Sequence, residues 1–191
     1  MIEVKESPNS KALFLDGVCQ GVQGLDGEPL SPYMKPIMER INGLNNGSEL
    51  LFLGLGMGIL PIRAQERHHS VSVVESNPEL VLLYGGLLDR PSAIYGDAIE
   101  LMPGFELDWF DFILLDIWPN DPKAYCIDYF IECKKHLKKN GLFSMNYSVR
   151  TQTECDDMGR KLAAVFPNVK MNVFYADKDM TIPTQVVYFC Q

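Results

Sequence analysis

Glu49-Leu50-Leu51-Phe52-Leu53-Gly54-Leu55-Gly56-Met57-Gly58 is the stretch on which the reading of this chain turns. The apolar run after Glu49 is too short for a helix core and suits a strand buried on both faces. Glycines at alternate positions then permit a tight turn and let the backbone approach a ligand. Position 59 is Ile, where a GxGxxG dinucleotide fingerprint wants glycine or alanine. The pattern is therefore a poor pyrophosphate cradle and a better nucleoside loop. A plain strand-to-helix turn that needs only small residues stays open as the other reading.

Downstream, strands and helices alternate. A helix is expected over Ile59–His68 and a second strand over Val71–Glu75. Asn77-Pro78-Glu79 opens the next helix, with Asn as N-cap and Pro in the first turn. Ala93–Tyr95 reads as a third strand, Asp97 as the start of a short helix, and Phe110–Asp116 as a very apolar fourth strand. Asp121-Pro122 is expected to start a long helix reaching about Lys139, with Cys126 and Cys133 together on its core face. A fifth strand over Leu142–Tyr147, a helix over about Glu154–Val165, and strands Val169–Tyr175 and Gln185–Phe189 complete the series. A polar turn containing Asp177–Asp179 joins the last two. Such alternation predicts an α/β fold: a Rossmann-like, mostly parallel sheet covered on both faces.

Upstream lies an arm. Asp16-Gly17 between Ala12–Leu15 and Val18–Gln20 is a hairpin signal. Ser31-Pro32 opens a helix whose Tyr33, Ile37, Met38 and Ile41 share a face, and Asn45-Asn46-Gly47 stops it. The expected division is residues 1–48 for the β arm and helix and 49–191 for the nucleoside-binding domain.

The whole chain is ordinary globular material, with 191 residues, 47% hydrophobic and 22% charged. Its net charge of −8 weighs against a nucleic-acid partner, since phosphate binding wants a basic face. No run approaches the ~18 apolar residues of a membrane helix, and Met1–Ser10 lacks the apolar run of a signal peptide. Five cysteines, an odd number with no CxxC pair, make the cytoplasm the expected compartment. His68, His69 and His136 lack a third ligand at suitable spacing, so no metal site is expected.

In a doubly wound sheet, ligands sit beyond the carboxyl ends of the strands, where strand order reverses. Four positions follow. The Gly54, Gly56, Met57, Gly58 loop comes first. Glu75 stands 21 residues past Gly54, a spacing that suits a carboxylate accepting both ribose hydroxyls, or an acid favoured by a helix start. Asp97 suits the exocyclic amine of adenine, the N-cap of the following helix, or both. Asp116 closes the fourth strand, either as a pocket carboxylate or as a cap or loop ion pair. Trp118 reads as a pocket wall or as core.

Together these pieces resemble the class I S-adenosylmethionine-dependent transferases, and within them the spermidine synthase-like branch. Leu13-Phe14-Leu15-Asp16-Gly17-Val18-Cys19-Gln20 is similar to that branch's LxLDGxxQ hairpin. The Gly54–Gly58 loop, Val73-Val74-Glu75-Ser76-Asn77-Pro78-Glu79, Gly96-Asp97-Ala98 and Phe110–Asp116 match its strand ends. The resemblance implies seven strands with the last antiparallel. It implies S-adenosylmethionine or its decarboxylated form as cofactor, with Glu75 on the ribose, Asp97 on the adenine and the glycine loop beside the methionine portion. It also implies Asp116 as the catalytic acid that binds and deprotonates an amine nucleophile, and a homodimer as the usual assembly. The expected reaction is methyl or aminopropyl transfer to a small-molecule substrate bearing an amine.

Departures from the branch fall on the substrate side. Met57 replaces an acid that repels a donor carboxylate. Pro119 stands where a second substrate-side acid belongs, and Met34-Lys35 replaces a His-Glu pair. Gln20, Tyr33 and Trp118 remain as substrate-side candidates. Two rivals stand beside the transferase: a scaffold that retains the nucleoside-binding fold, and a nicotinamide-dependent oxidoreductase, which Ile59 opposes.

Overall fold

The computed structural model describes residues 1–84, 88, 93–118, 120–175 and 184–191. The arm holds β1 (Ile2–Glu6), β2 (Ser10–Leu15) and β3 (Val18–Gly24), followed by α1 (Met34–Asn42). Then come β4 (Glu49–Leu53), α2 (Ile59–Glu66), β5 (Ser70–Glu75), α3 (Pro78–Tyr84), β6 (Ala93–Tyr95), α4 (Ala98–Leu101) and β7 (Phe110–Leu115). The chain ends with α5 (Ile127–His136), β8 (Leu137–Ser148), α6 (Gln152–Ala163), β9 (Val169–Phe174) and β10 (Gln185–Cys190). The large sheet has seven strands in the order β6-β5-β4-β7-β8-β10-β9. All ladders from β6 to β8 are parallel, while β10 pairs antiparallel with both β8 and β9.

Period-two burial builds a core on each side of this sheet. Leu51 and Leu53 of β4 join Ile113 and Leu115 of β7 in one cluster, under α5 and α6. Leu50 and Phe52 join Phe112 and Leu114 in the other, under α1 and α2. Each such Leu or Phe contributes roughly 1.5–3 kcal/mol by leaving water. The helix α1 buries Met34, Ile37, Met38 and Ile41, and Leu13 of β2 packs in the same cluster as the sheet.

Several elements depart from expectation. The arm has three strands, because Ile2–Glu6 pairs along β2 as well. The Asp16-Gly17 turn has positive φ at both residues, as a two-residue hairpin requires. The helix α2 ends at Glu66, and His68 turns the chain at φ +62°. The helix expected from Asp121 starts only at Ile127. Asp121 caps an isolated turn instead, its carbonyl accepting from Ala124 and Tyr125. Buried Tyr125 donates to the Ile117 carbonyl (3.0 Å) and draws that turn against the end of β7, overriding helix propensity. Cys126 is then the extended N-cap residue of α5 and is half-buried, whereas Cys133 is in the core. The same helix stops at His136 because Leu137 already pairs with Phe110, so β8 is twelve residues long. At α6, Thr151 Oγ1 accepts from the Glu154 N–H and Glu154 reaches back to the Arg150 N–H. This capping arrangement sets the helix start two residues before the expected one. The turn at Asp177–Asp179 and Pro119 lie outside the described residues.

Candidate functional site

Strand order reverses between β4 and β7, and their carboxyl ends meet there. The Asp116 N–H donates to the Leu53 carbonyl (2.9 Å), and the Gly54 N–H to the Val74 carbonyl (2.8 Å). Gly54 has φ +108°, and a Cβ at that position would lie 2.1 Å from the Asp116 carbonyl oxygen. Only glycine admits this approach. Gly58, at φ +71°, is the left-handed N-cap of α2.

A cavity of about 220 Å³ opens beyond these ends. Gly54, Gly56, Met57, Glu75, Asp97, Asp116, Gln20, Tyr33 and Trp118 all line it. Gly58 does not, since it sits behind the loop at the helix start. Met57 is buried between the loop and Gly21 of the arm. Trp118 is 41% exposed at the cavity edge and is not core.

Glu75 is held on both oxygens. Oε2 accepts from the Leu55 N–H (2.9 Å) and Oε1 from the Asn77 N–H (2.7 Å). Its carboxylate thus ties the glycine loop to the turn after β5, and each oxygen keeps capacity for a ligand donor. Asp97 caps α4 through Oδ1, which accepts from the Ile99 N–H (2.8 Å), and the residue also lines the cavity. Four carboxylates line the cavity, from Glu75, Asp97, Asp116 and Asp121, and none of its described lining residues is Lys, Arg or His.

Asp116 stands at a seam. A second cavity of about 270 Å³ lies on the β8 side, and Gln20, Tyr33, Asp116, Ile117 and Trp118 line both. Asn146 Nδ2 donates to Asp116 Oδ1 (2.8 Å). Burial pushes the Asp116 carboxyl up to about 6; Asn146 and Tyr33 partly offset the rise, and the Glu75 charge adds to it. Tyr33 is itself pushed up by burial and by Asp116, so it stays a neutral phenol. Its hydroxyl also points to the Gln20 carbonyl (3.5 Å). A carboxyl titrating near neutrality between two cavities is suited to holding a cation or accepting a proton.

The sequence reading did not find Asn146. It is 8% exposed, and its Oδ1 is buried without a hydrogen-bond partner. A lone carboxamide inside the apolar run Leu142–Tyr147 was the signal, because buried polar groups are normally paired. Asn120, Ser148 and Gln185, which line the second cavity, carried no such signal, since they come from a loop and from the ends of β8 and β10.

The sequence itself matches no protein-family model and no curated protein. Among solved structures, it is similar to a probable spermidine synthase from Corynebacterium glutamicum, at 16% identity and TM-score 0.85, over 100% of this chain and 76% of that one. It is also similar to a spermidine synthase in complex with the transition state analogue AdoDATO, at 17% identity and TM-score 0.70, over 99% and 68% of the two chains. Human methyltransferase-like protein 13 in complex with SAH is similar at 20% identity and TM-score 0.66, over 83% and 81%. The fold is that of the class I S-adenosylmethionine-dependent transferases, with the last strand antiparallel and an N-terminal β arm.

Proposed function

We propose that this chain is an S-adenosylmethionine-dependent transferase that passes a methyl or aminopropyl group to an amine. The observation that carries this reading is the charge of the first cavity. Four carboxylates and no described basic side chain suit a ligand that is cationic and rich in hydroxyl donors. They repel a pyrophosphate, which argues against a nicotinamide dinucleotide. The fold and the ligands carried by its structural relatives agree with an adenosyl sulfonium.

In this reading Glu75 accepts the ribose hydroxyls with the oxygen capacity its two backbone donors leave free. Asp97 receives the adenine amine through Oδ2 while Oδ1 keeps the cap. Gly54 and Gly56 give the ligand a backbone wall without side chains. Bound there, S-adenosylmethionine or its decarboxylated form supplies a carbon on a sulfonium, whose leaving group is a neutral thioether. The chain therefore contributes mainly position, which is worth several powers of ten in rate. Asp116 holds the amine at the seam and takes its proton, directly or through water. An amine of pKa near ~10 arrives protonated, so this step is needed before attack.

Even with Met57 in place of an acid, the same charges favour the decarboxylated donor, because no basic group is among the cavity's described lining residues to hold a donor carboxylate. Calorimetric titration with S-adenosylmethionine, its decarboxylated form, methylthioadenosine and NAD tests the reading. One-to-one binding of an adenosyl thioether or sulfonium is expected, with the decarboxylated form ahead. Binding of NAD alone would overturn it, and no binding at all would leave a scaffold as the better reading.

A further inference from the structure

The second cavity has an electrostatic character unlike the first. Asp116 is the one carboxylate among its described lining residues. The other polar side chains are neutral, among them Gln20, Tyr33, Asn120, Asn146, Ser148 and Gln185. They come from the arm, from the loop after β7, and from the adjacent ends of β8 and β10, so amides and hydroxyls line a half-open cavity. Asn120 Nδ2 is already occupied by the Ser148 carbonyl (2.7 Å), which leaves its Oδ1 as an acceptor. Asn146 offers a second, buried and unpartnered acceptor next to the Asp116 carboxylate. One ammonium can be neutralised here, at Asp116. A second ammonium would lose part of its water among dipoles with no counter-charge among the described lining residues, and burying an unpaired charge is costly. A hydroxyl in the same place meets acceptors and donors suited to it.

We infer that the acceptor carries a single cationic amine, seated at Asp116, and an uncharged hydrogen-bonding far end, as an amino alcohol does and a diamine does not. The inference rests on the transferase reading for the direction of group transfer, but the cavity's preference holds for binding alone. Discrimination comes from the lack of a partner for a second charge among the described lining residues rather than from a clash.

The test uses the full chain saturated with methylthioadenosine, at about pH 7, titrated calorimetrically with aminobutanol and with diaminobutane of equal chain length. Aminobutanol is expected to bind at least about tenfold more tightly. Equal or tighter binding of diaminobutane would overturn the inference, as would failure of both amines to bind at millimolar concentration. Gln185→Glu places a carboxylate at the half-buried start of β10, and should shift the ratio toward diaminobutane by about tenfold. An unchanged ratio in that variant would mean that the far end does not lie there, which also overturns the inference. Failure of methylthioadenosine itself to bind would count against the transferase reading, and the two amines can still be compared on the free protein.

Discussion

The two cavities that share Asp116 are built in different ways. The first is anchored to backbone turns: a glycine loop, a Glu75 carboxylate pinned by two amide N–H groups, and a helix cap at Asp97. The second is made of side chains reaching in from the arm, the loop after β7, β8 and β10. A site made of backbone follows once strand order is fixed, because the loop after β4 must pass the end of β7. A site made of side chains can change its preference without changing the fold. Nucleoside binding is thus expected to be robust, and acceptor choice to be the property that varies.

The contrast can be broken most forcefully at Gly54. Its backbone conformation and the 2.1 Å approach to Asp116 exclude any Cβ. Gly54→Ala should lower unfolding free energy by about 3 kcal/mol in urea titration and abolish nucleoside binding. A variant of normal stability that still binds would show that the loop is not held as described.

Glu75→Ala comes next. It removes a charged acceptor from the cavity and frees the Leu55 N–H, so nucleoside affinity should fall about 30-fold, roughly 2 kcal/mol. Amine affinity in the second cavity should hardly change.

Asp116 sharpens the comparison through pH. Its folded pKa of about 6 lies above the ordinary 3.8, so its contribution to stability is present below about pH 4 and is lost as pH rises through about 6. Asp116→Asn should therefore exceed the wild type in stability above about pH 6 by roughly 1–2 kcal/mol, with the gap closing toward pH 4, as read by denaturant unfolding. In the wild type, an ammonium ligand should bind about tenfold more tightly at pH 7 than at pH 5, because the carboxylate is ionised while the amine stays protonated. A flat profile would remove Asp116 from the amine site.

The smallest effect separates the two roles of Asp97. Asparagine caps helices as well as aspartate does. Asp97→Asn should leave the melting temperature unchanged and reduce nucleoside affinity about fivefold, roughly 1 kcal/mol. Loss of stability without loss of affinity would leave the residue as a cap alone.

Legibility in the sequence followed the same division. The apolar runs of Glu49–Leu53 and Phe110–Leu115, the glycine spacing and the strand-terminal acids are local patterns, and they placed the sheet and the first cavity. The start of α5 was missed because buried Tyr125, hydrogen-bonded to the Ile117 carbonyl, outweighs the local Asp121-Pro122 signal. β1 was missed because its apolar alternation is only two residues long, Ile2 and Val4 among charged residues, and Val4 is exposed. Asn146 and Gln185 reach the site only because β8 lies between β7 and β10, a neighbourhood set by topology and not by spacing along the chain.

The most direct test is an amide NMR titration with methylthioadenosine. Shifts concentrated at Leu55, Gly56, Asn77, Asp97 and Ile99, with Ser148 and Gln185 unmoved, are the expected result. Shifts centred on Ser148 and Gln185, or none at saturating nucleoside, would contradict the division of the site into a nucleoside cavity and an acceptor cavity.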